Sequence, residues 1–294
     1  MKTARLHLDV SRWVDLPGPL HTAASVHYEP AALGPDPLVV FAFPGGGYGR
    51  GYFDIRRPEL DGPTQAAFHC ARGCVFVACD HLGVGESSLP DPAVITFAHL
   101  AAANHGTVVA VLEALAAGTV APDLPRIADP FVIGVGHSMG GCIGVVQQAR
   151  HRTFRALAVL GYSGARMNMR EPPPGRDQLA WLFHWDETPK ALIDADMADS
   201  SLPWRSASMP DCVPPMAGSG LIVAEAATID VPLFVGAGER DTIDDLYTEP
   251  DAYRAATDIT LFRLMRSAHL HNFAPTRARL WARLHTWFDT VRHP

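Results

Sequence analysis

The chain has 294 residues and a mass of 31.7 kDa, and its 24 Lys and Arg against 31 Asp and Glu give a formal charge of −7. This acidic balance argues against electrostatic binding of nucleic acid. Apolar residues make up 48% of the chain and charged residues 19%, which excludes global disorder and allows a large core. We expect a soluble protein, because no apolar run approaches the roughly 20 residues that cross a bilayer.

Residues 1–16 interleave charged and apolar side chains and contain no uninterrupted apolar stretch of the secretory type, so we expect a cytoplasmic location. The five cysteines are odd in number and show no CxxC spacing. We therefore expect buried thiols instead of disulfides or a zinc site. Neither GxGxxG nor GxxxxGK occurs, so we expect no dinucleotide and no phosphate-loop cofactor.

In chain order, apolar strand-like runs alternate with helix-length amphipathic or Ala-rich segments. This alternation predicts an α/β fold with a mainly parallel sheet of eight strands flanked by helices. The predicted strands are residues 5–10, 23–28, 38–43, 74–80, 131–135, 156–160, 233–236 and 259–264. The predicted helices are residues 63–72, 97–117, 139–150, 220–228, 247–256 and 275–290. The last six strands are short and apolar, which is typical of central strands buried on both faces.

Residues 165–217 break this alternation, because they are rich in proline and carry Trp181, Trp185 and Trp204. A solvent-exposed linker rarely contains so many large apolar side chains, so we expect them to pack on another part of the chain. We predict a core domain of residues 1–164 and 218–294 and an inserted cap of residues 165–217 that forms a lid over a pocket. The alternative is a small satellite core beneath long loops.

A strand, a sharp turn and a helix are predicted around Ser138. The strand 131–135 is followed by Gly-His-Ser-Met-Gly at residues 136–140, a GxSxG motif, and then by a helix. In this motif the serine occupies a strained strand-to-helix turn, and side chains at the two glycine positions would collide with neighbouring backbone. The turn lifts the serine oxygen into a cleft, so Ser138 is the candidate nucleophile.

A serine hydroxyl needs a general base, which must itself be oriented by a third group. The strand 233–236 ends in a Gly-rich turn with Asp241, and His269 follows the strand 259–264. Because the carboxyl ends of parallel strands share one edge of a sheet, we expect Ser138, Asp241 and His269 to meet there. His271 competes with His269, because the two imidazoles would point in opposite directions in an extended segment. His271 is the second choice for the base, since the small residues Ser267 and Ala268 directly precede His269. Two histidines alone make a weak metal site, so we expect no metal.

Three further acids have structural interpretations. Asp244 and Asp245 are rival acids near Asp241, but we expect them to cap a helix that begins near Tyr247. Asp80 precedes a Gly-rich turn, and we expect it to fix that turn instead of taking part in catalysis.

Together these motifs resemble the α/β-hydrolase fold family, whose catalytic residues follow the order nucleophile, acid, histidine. Residues 80–87, Asp-His-Leu-Gly-Val-Gly-Glu-Ser, are similar to the family's D-x-x-G-x-G-x-S segment, and residues 165–217 lie where the family carries its cap. Residues 44–47, Pro-Gly-Gly-Gly, resemble the family's His-Gly-Gly-Gly loop with proline in place of histidine. The resemblance implies an oxyanion hole formed by the backbone amides of Met139 and Gly46, with Gly47 as an alternative donor.

The sequence therefore predicts a serine hydrolase without a cofactor that cleaves a carboxylic ester or a related acyl bond through an acyl-enzyme on Ser138. Tyr48, His137 and Trp204 are candidate substrate contacts, and the aromatic and Met-rich cap favours a small-molecule substrate that is apolar in part. An acyltransferase or a carbon–carbon bond hydrolase would use the same three residues, and a noncatalytic ligand-binding protein would share the fold. Neither nucleic acid nor a membrane is an expected partner.

Overall fold

The structure is a computed structural model that describes residues 1–218 and 220–293, without the side chains of Met216 and Ala217. Its strands are β1 (Lys2–Asp9), β2 (His21–Tyr28), β3 (Val39–Phe43), β4 (Val75–Cys79), β5 (Val132–His137), β6 (Ala156–Leu160), β7 (Leu233–Gly238) and β8 (Ile259–Leu264). They form one eight-stranded sheet in the order β1-β2-β4-β3-β5-β6-β7-β8. The α-helices are α1 (Gln65–Cys70), α2 (Phe97–Ala117), α3 (Met139–His151), α4 (Gln178–Phe183), α5 (Lys190–Ala198), α6 (Val223–Ala226) and α7 (Arg277–Arg292).

The sheet is antiparallel only where β2 pairs with β1 and β4, and the other five strand pairs are parallel. The predicted mainly parallel sheet is therefore confirmed, and every predicted strand is present. One expectation is wrong: β8 is not a central strand buried on both faces. It pairs with β7 alone at the edge of the sheet, and most of its residues are half-buried.

Hydrophobic layers cover both faces of the sheet. Side chains alternate along β3, so that Val39, Phe41 and Phe43 belong to the layer that contains α2 and α3, whereas Val40 and Ala42 belong to the layer of α1 and α7. A fully buried Val or Phe side chain stabilises a fold by about 1.5–3 kcal/mol through burial. The two layers bury both faces of the sheet, and its carboxyl edge presents the loops that follow β3, β5, β7 and β8.

The sequence predicts no membrane span, but helix α2 is long and apolar enough to cross a membrane when only its length and composition are considered. In the structure 56% of its most apolar window is buried, and it packs against α3 and the β1–β2 end of the sheet. Thr96 caps its first turn by accepting a hydrogen bond from the His99 amide, and Gly118 ends it in a left-handed conformation. In this structure α2 is therefore a core helix.

Two predicted helices are shorter than the sequence suggested. Residues 220–228 contain only the four-residue α6, and residues 247–256 form a 3-10 helix, Leu246–Asp251, instead of an α-helix. Pro250 lies inside that 3-10 helix, and proline lacks the amide that a continuing α-helix would need. The other four predicted helices are present as α1, α2, α3 and α7.

The predicted cap, residues 165–217, contains two helices that are not predicted from the sequence, α4 and α5. Asp177 caps α4 by accepting a hydrogen bond from the Ala180 amide, 2.8 Å away. An isolated β-bridge joins Arg205 of the cap to Tyr48, which lies just beyond β3. All five cysteines are free, and the four outside the cap are buried as expected, whereas Cys212 is half-buried.

Candidate active site

Ser138 lies directly after β5 in a backbone conformation that amino acids other than glycine rarely adopt, with φ of 52° and ψ of −117°. A side chain at Gly136 would place its Cβ 2.2 Å from the carbonyl oxygen of Gly140, and one at Gly140 would lie 2.2 Å from that of Phe43. Both distances are far below contact. The two glycines are therefore required for β5, α3 and the loop that follows β3 to meet around Ser138, as the motif predicts.

Three side chains meet at the carboxyl edge of the sheet. Nε2 of His269 lies 2.9 Å from Oγ of Ser138, and Nδ1 of His269 lies 2.6 Å from Oδ1 of Asp241. His269 and Asp241 are buried, whereas Ser138 is partly exposed. The structure thus brings together the serine, the imidazole and the acid that the sequence singled out.

The Asp241 carboxylate is surrounded by donors. Oδ1 accepts from His269 and from the Thr242 amide, and Oδ2 accepts from Nε2 of His271 at 2.8 Å and from the Gly238 amide at 2.7 Å. Burial disfavours the charged form, but the two imidazoles outweigh it and hold the pKa of this carboxyl well below its usual range. Asp241 is therefore ionised at neutral pH and able to orient His269.

His271 has a place that the sequence did not reveal. The segment after His269 is not extended, because the amide of His271 bonds to the carbonyl of His269 and a 3-10 helix, His271–Phe273, begins there. Both imidazoles consequently reach the same carboxylate through different oxygens. Within residues 1–218 and 220–293, no group of three or more His, Cys, Asp and Glu side chains is arranged to hold a metal ion.

The neighbouring acids have different partners. Asp245 accepts a hydrogen bond from the Tyr247 amide at 2.9 Å and caps the 3-10 helix, which confirms its predicted role. Asp244 accepts from Nδ2 of Asn168 at 2.7 Å instead of capping a helix. Neither carboxylate is bonded to His269, so of these three acids only Asp241 contacts that imidazole.

The loop after β3 lies between Ser138 and the cap. A Cβ at Gly45 would be 3.2 Å from Cβ of Ser138, and one at Gly46 would be 3.0 Å from Cγ1 of Val213 in the cap. In the part of the chain that the structure describes, the amides of Gly46 and Met139 donate to no other protein group. The helix dipole of α3 also points its positive end at this position. Both amides are thus available to an oxyanion.

Proline at position 44 does not leave this loop unsupported. The carbonyl of Pro44 accepts a hydrogen bond of 3.1 Å from Nε2 of His81, whose Nδ1 accepts from Nδ2 of Asn104 at 3.1 Å. Burial lowers the pKa of His81, which keeps this imidazole neutral. A histidine from the loop after β4 therefore holds the glycine loop from outside.

Asp80 fixes the turn that follows β4. It accepts hydrogen bonds from the amides of Arg50 and Glu86 and forms an ion pair with the Arg50 guanidinium. A Cβ at Gly85 would lie 2.4 Å from its Oδ2. The predicted structural role of Asp80 is thereby confirmed.

The three predicted substrate contacts are buried and bonded to other parts of the protein. The Tyr48 hydroxyl donates to Oδ2 of Asp196 at 2.7 Å, and Nε1 of Trp204 donates to Oδ1 at 2.7 Å. Nε2 of His137 donates to the carbonyl of His269 at 2.8 Å, and its ring is stacked on Tyr52. Their placement gives no support to direct contact with substrate. His137 instead supports the loop that carries the base.

Asp196 of α5 is the centre of a buried polar cluster that the sequence did not indicate. Besides Tyr48 and Trp204, it accepts from Nε2 of His184 at 3.1 Å, and Nη1 of Arg205 is 3.8 Å away. Burial opposes its charge, but the bonds from His184 and Tyr48 outweigh burial and lower its pKa. No motif signals this cluster, because its members come from separate elements that only the tertiary fold brings together.

Helix α4 of the cap is hydrogen-bonded to both loops that carry the acid and the base. The amides of His269 and Leu270 donate to the carbonyls of Leu182 and Phe183, at 3.0 and 2.9 Å. Arg240, which precedes Asp241, donates from Nε to the carbonyl of Trp181 and from Nη2 to that of His184. The cap is therefore part of the scaffold that holds the site.

The sheet, the glycine turn and the order of Ser138, Asp241 and His269 define an α/β hydrolase, and comparison with known proteins agrees. The model of the "Alpha/beta hydrolase family" matches residues 39–279, so the chain belongs to that family. A search of curated protein sequences finds no match.

Similar solved structures include a thermophilic esterase from Thermogutta terrifontis, with a TM-score of 0.66 and 15% identity over 98% of this chain and 98% of that chain. An esterase from Rhodococcus sp. ECU1013 has a TM-score of 0.62 and 14% identity over 99% of this chain and 100% of that one. A meta-cleavage product hydrolase from Pseudomonas fluorescens IP01 has a TM-score of 0.61 and 13% identity over 99% of this chain and 98% of that one. At such identities these likenesses show the fold alone.

Proposed function

We propose that this α/β hydrolase is a serine hydrolase that cleaves a carboxylic ester or a related acyl bond through an acyl-enzyme on Ser138. The observation that carries the proposal is the continuous hydrogen-bonded series from Oγ of Ser138 through His269 to Asp241, with distances of 2.9 and 2.6 Å. Such an arrangement turns a weak hydroxyl nucleophile into an effective one.

In the proposed mechanism Oγ of Ser138 attacks the substrate carbonyl while Nε2 of His269 takes its proton. The amides of Met139 and Gly46 hold the oxyanion of the tetrahedral intermediate, and Asp241 stabilises the imidazolium. His269 then gives its proton to the leaving alcohol, the carbonyl re-forms and the acyl group stays on Ser138. Water attacks the acyl-enzyme with His269 as the base, which releases the acid and restores the serine.

Active-site labelling with a fluorophosphonate tests this proposal. We expect one labelled serine, Ser138, when the modified peptide is located by mass spectrometry, and no label in Ser138→Ala. The same substitution should lower kcat for a p-nitrophenyl ester by as much as about 10⁶. Ser201→Ala is a suitable control, because Ser201 is exposed and bonds only within its own turn.

Each outcome separates the candidate functions. Absence of both labelling and ester hydrolysis would contradict the proposal and favour a noncatalytic ligand-binding protein. Labelling of Ser138 with product transferred to an added alcohol would indicate an acyltransferase, and labelling with cleavage of a diketone but no ester would indicate a carbon–carbon bond hydrolase.

We also propose that residues 165–217 act as a cap that restricts the acyl side of the site. Support comes from Met209 and Val213, whose side chains lie 3.3 and 3.0 Å from a Cβ built at Gly46, beside the proposed oxyanion hole. Met209→Ala should raise KM several-fold for long acyl esters and leave short ones unchanged, since each buried methylene contributes about 0.8 kcal/mol. Met197→Ala, which removes another partly exposed methionine of the cap, is the control. Equal KM changes for long and short esters would contradict this role.

A further inference from the structure

A cavity of about 690 Å³ lies between the cap and the β1–β2 end of the sheet. Its wall includes Arg5 of β1, His27 of β2 and Arg205 of the cap, whereas Ser138, Asp241 and His269 do not line it. Its volume is within the range of small-molecule sites, which is about 300–1,000 Å³. The proposed hydrolase function leaves this cavity without a role.

The wall of the cavity carries an excess of positive charge, although the whole chain has a formal charge of −7. The charged side chains that line it are Arg5, Arg50, Arg56 and Arg205 against Asp54, Asp80 and Glu86. Burial lowers the pKa of His27 to about 4, so this imidazole is neutral at pH 7 and adds no charge. The side chains that line the cavity therefore carry one more positive than negative charge, on a chain whose formal charge is negative.

The acids of the wall are already occupied. The guanidinium of Arg50 bonds to Asp80, and to Oε2 of Glu86 at 2.6 Å, while Asp80 also accepts from two backbone amides. Asp54 accepts from the Thr64 hydroxyl at 2.7 Å and from Nε of Arg56 at 3.1 Å. These carboxylates consequently offer little to a cationic or neutral donor.

Two of the four arginines, Arg5 and Arg205, by contrast have guanidinium donors without a hydrogen bond among the described residues. Within residues 1–218 and 220–293, Arg5 forms no hydrogen bond or close ion pair through its guanidinium, and its charge contributes to the lowered pKa of the nearby Glu86. Arg205 lies over the Tyr48 ring with its guanidinium carbon 4.4 Å from the ring centroid. Its Nη1 is 3.8 Å from Oδ2 of Asp196, and among the described residues its Nη2 donates no hydrogen bond. A guanidinium has five N–H donors and matches carboxylate and phosphate oxygens.

We propose that this cavity binds a small anionic molecule whose carboxylate or phosphate oxygens accept hydrogen bonds from Arg5 and Arg205. The site is distinct from the proposed catalytic residues but adjoins the loop after β3, which carries Gly46. Gly49 lines the cavity, and Gly45 of the same loop lies against Ser138. The amide of Ser206 also bonds to the carbonyl of Gly47, which ties Arg205 to this loop.

Isothermal titration calorimetry of the full chain with inorganic phosphate and, separately, with succinate tests the proposal. We expect saturable binding of at least one probe at low ionic strength, weakened by added salt. Arg5→Gln and Arg205→Gln should each weaken binding about tenfold, which corresponds to about 1.4 kcal/mol. Arg254→Gln removes the same charge from an exposed position outside the cavity and should leave binding unchanged.

Binding of phosphate alone would assign a tetrahedral ligand group and binding of succinate alone a carboxylate, and either result supports the site. Absence of saturable binding of both probes would overturn the proposal, as would equal affinities of the wild type and Arg5→Gln. Arg5 is exposed, so its substitution tests the site even where Arg205→Gln disturbs the contact of the cap with Tyr48. Because the readout is binding and not turnover, the result does not depend on the proposed hydrolase function.

Discussion

Two glycines of helix α3 differ in the space around them. Gly140, the last residue of the GxSxG motif, has no room for a side chain, whereas Gly144, one turn later, has room for one. A Cβ at Gly140 would lie 2.2 Å from the Phe43 carbonyl oxygen, but one at Gly144 would make an ordinary contact of 3.5 Å with Cδ1 of Leu157. Gly140→Ala should therefore lower the free energy of unfolding by about 3 kcal/mol. Gly144→Ala should raise it by up to about 1 kcal/mol, because alanine favours helix. Urea denaturation measures both, and equal effects would contradict the argument.

His271 is expected to tune the base through Asp241. Replacing it with Phe removes one donor from the carboxylate, which leaves more negative charge facing His269 and stabilises its protonated form. His271→Phe should lower kcat/KM about tenfold and move the acidic limb of its pH profile to higher pH. His271→Gln, which keeps a donor, should retain the wild-type profile. An unmoved profile in the Phe variant would reduce His271 to a packing role.

At the level of single residues, sequence reasoning found the side chains whose chemistry has a local signature. Ser138 has glycines at fixed positions, and Asp241 and His269 each follow an apolar strand. The bond from His271 to Asp241 could not be predicted, because it depends on a 3-10 turn at the end of a loop. Nor could the contact of His81 with Pro44, which joins loops from two different strands.

At the level of elements, the strands were predicted more accurately than the helices. A central parallel strand must be apolar along its whole length, so β3 to β7 are visible as short apolar runs. Helices α4 and α5 bury few apolar residues, Leu182 and Leu192, so they show no clear helical spacing of apolar side chains. The prolines in the surrounding sequence also favour loops over helices. The edge position of β8 could not be predicted either, because the order of the strands in the sheet depends on the tertiary fold and not on the sequence of any one strand.

The buried cluster at Asp196 should make α5 essential for attachment of the cap. Asp196→Ala leaves the Tyr48 hydroxyl, the Trp204 ring nitrogen and His184 without their acceptor, so we expect a loss of about 3 kcal/mol in the free energy of unfolding. Asp194→Ala, on the same helix, removes only an exposed ion pair with Lys190 and should change stability by less than about 0.5 kcal/mol. Chemical denaturation of both variants tests this, and similar losses would show that the cluster does not anchor the cap.

For the whole molecule, buried histidines predict that acid destabilises the fold from neutral pH downwards. Burial lowers the pKa of His27, His69, His81 and His137. In the unfolded chain their pKa is about 6.5, so the unfolded state binds protons first as the pH falls. Stability should be fully present above about pH 6.5 and fall below it by up to about 1.4 kcal/mol per pH unit for each histidine.

Urea denaturation between about pH 7.5 and pH 5 measures this slope. His69→Phe is the matched variant, because the His69 ring is stacked on Phe76 and its Nε2 has no partner among the described residues. This substitution should reduce the pH dependence of the free energy of unfolding by up to about 1.4 kcal/mol per pH unit, the contribution of one histidine. It should change stability little at pH 7.5. A second decline below about pH 4 is expected from Asp196 and Asp241, whose lowered pKa values make the folded state favour their ionised forms. A flat profile from pH 7.5 to 5 would contradict the prediction.

The bonds between α4 and the loops of Asp241 and His269 matter for protein engineering. Suppose that α4 were replaced by the corresponding helix of a relative. The carbonyls of residues 181–184 would then no longer hold the loops of Asp241 and His269, and the two side chains would lose their alignment. Engineering of selectivity should therefore keep α4 and begin with the residues around Met209 and Val213. These lie against Gly46 in the loop after β3 but form no hydrogen bond to the loops of Asp241 and His269.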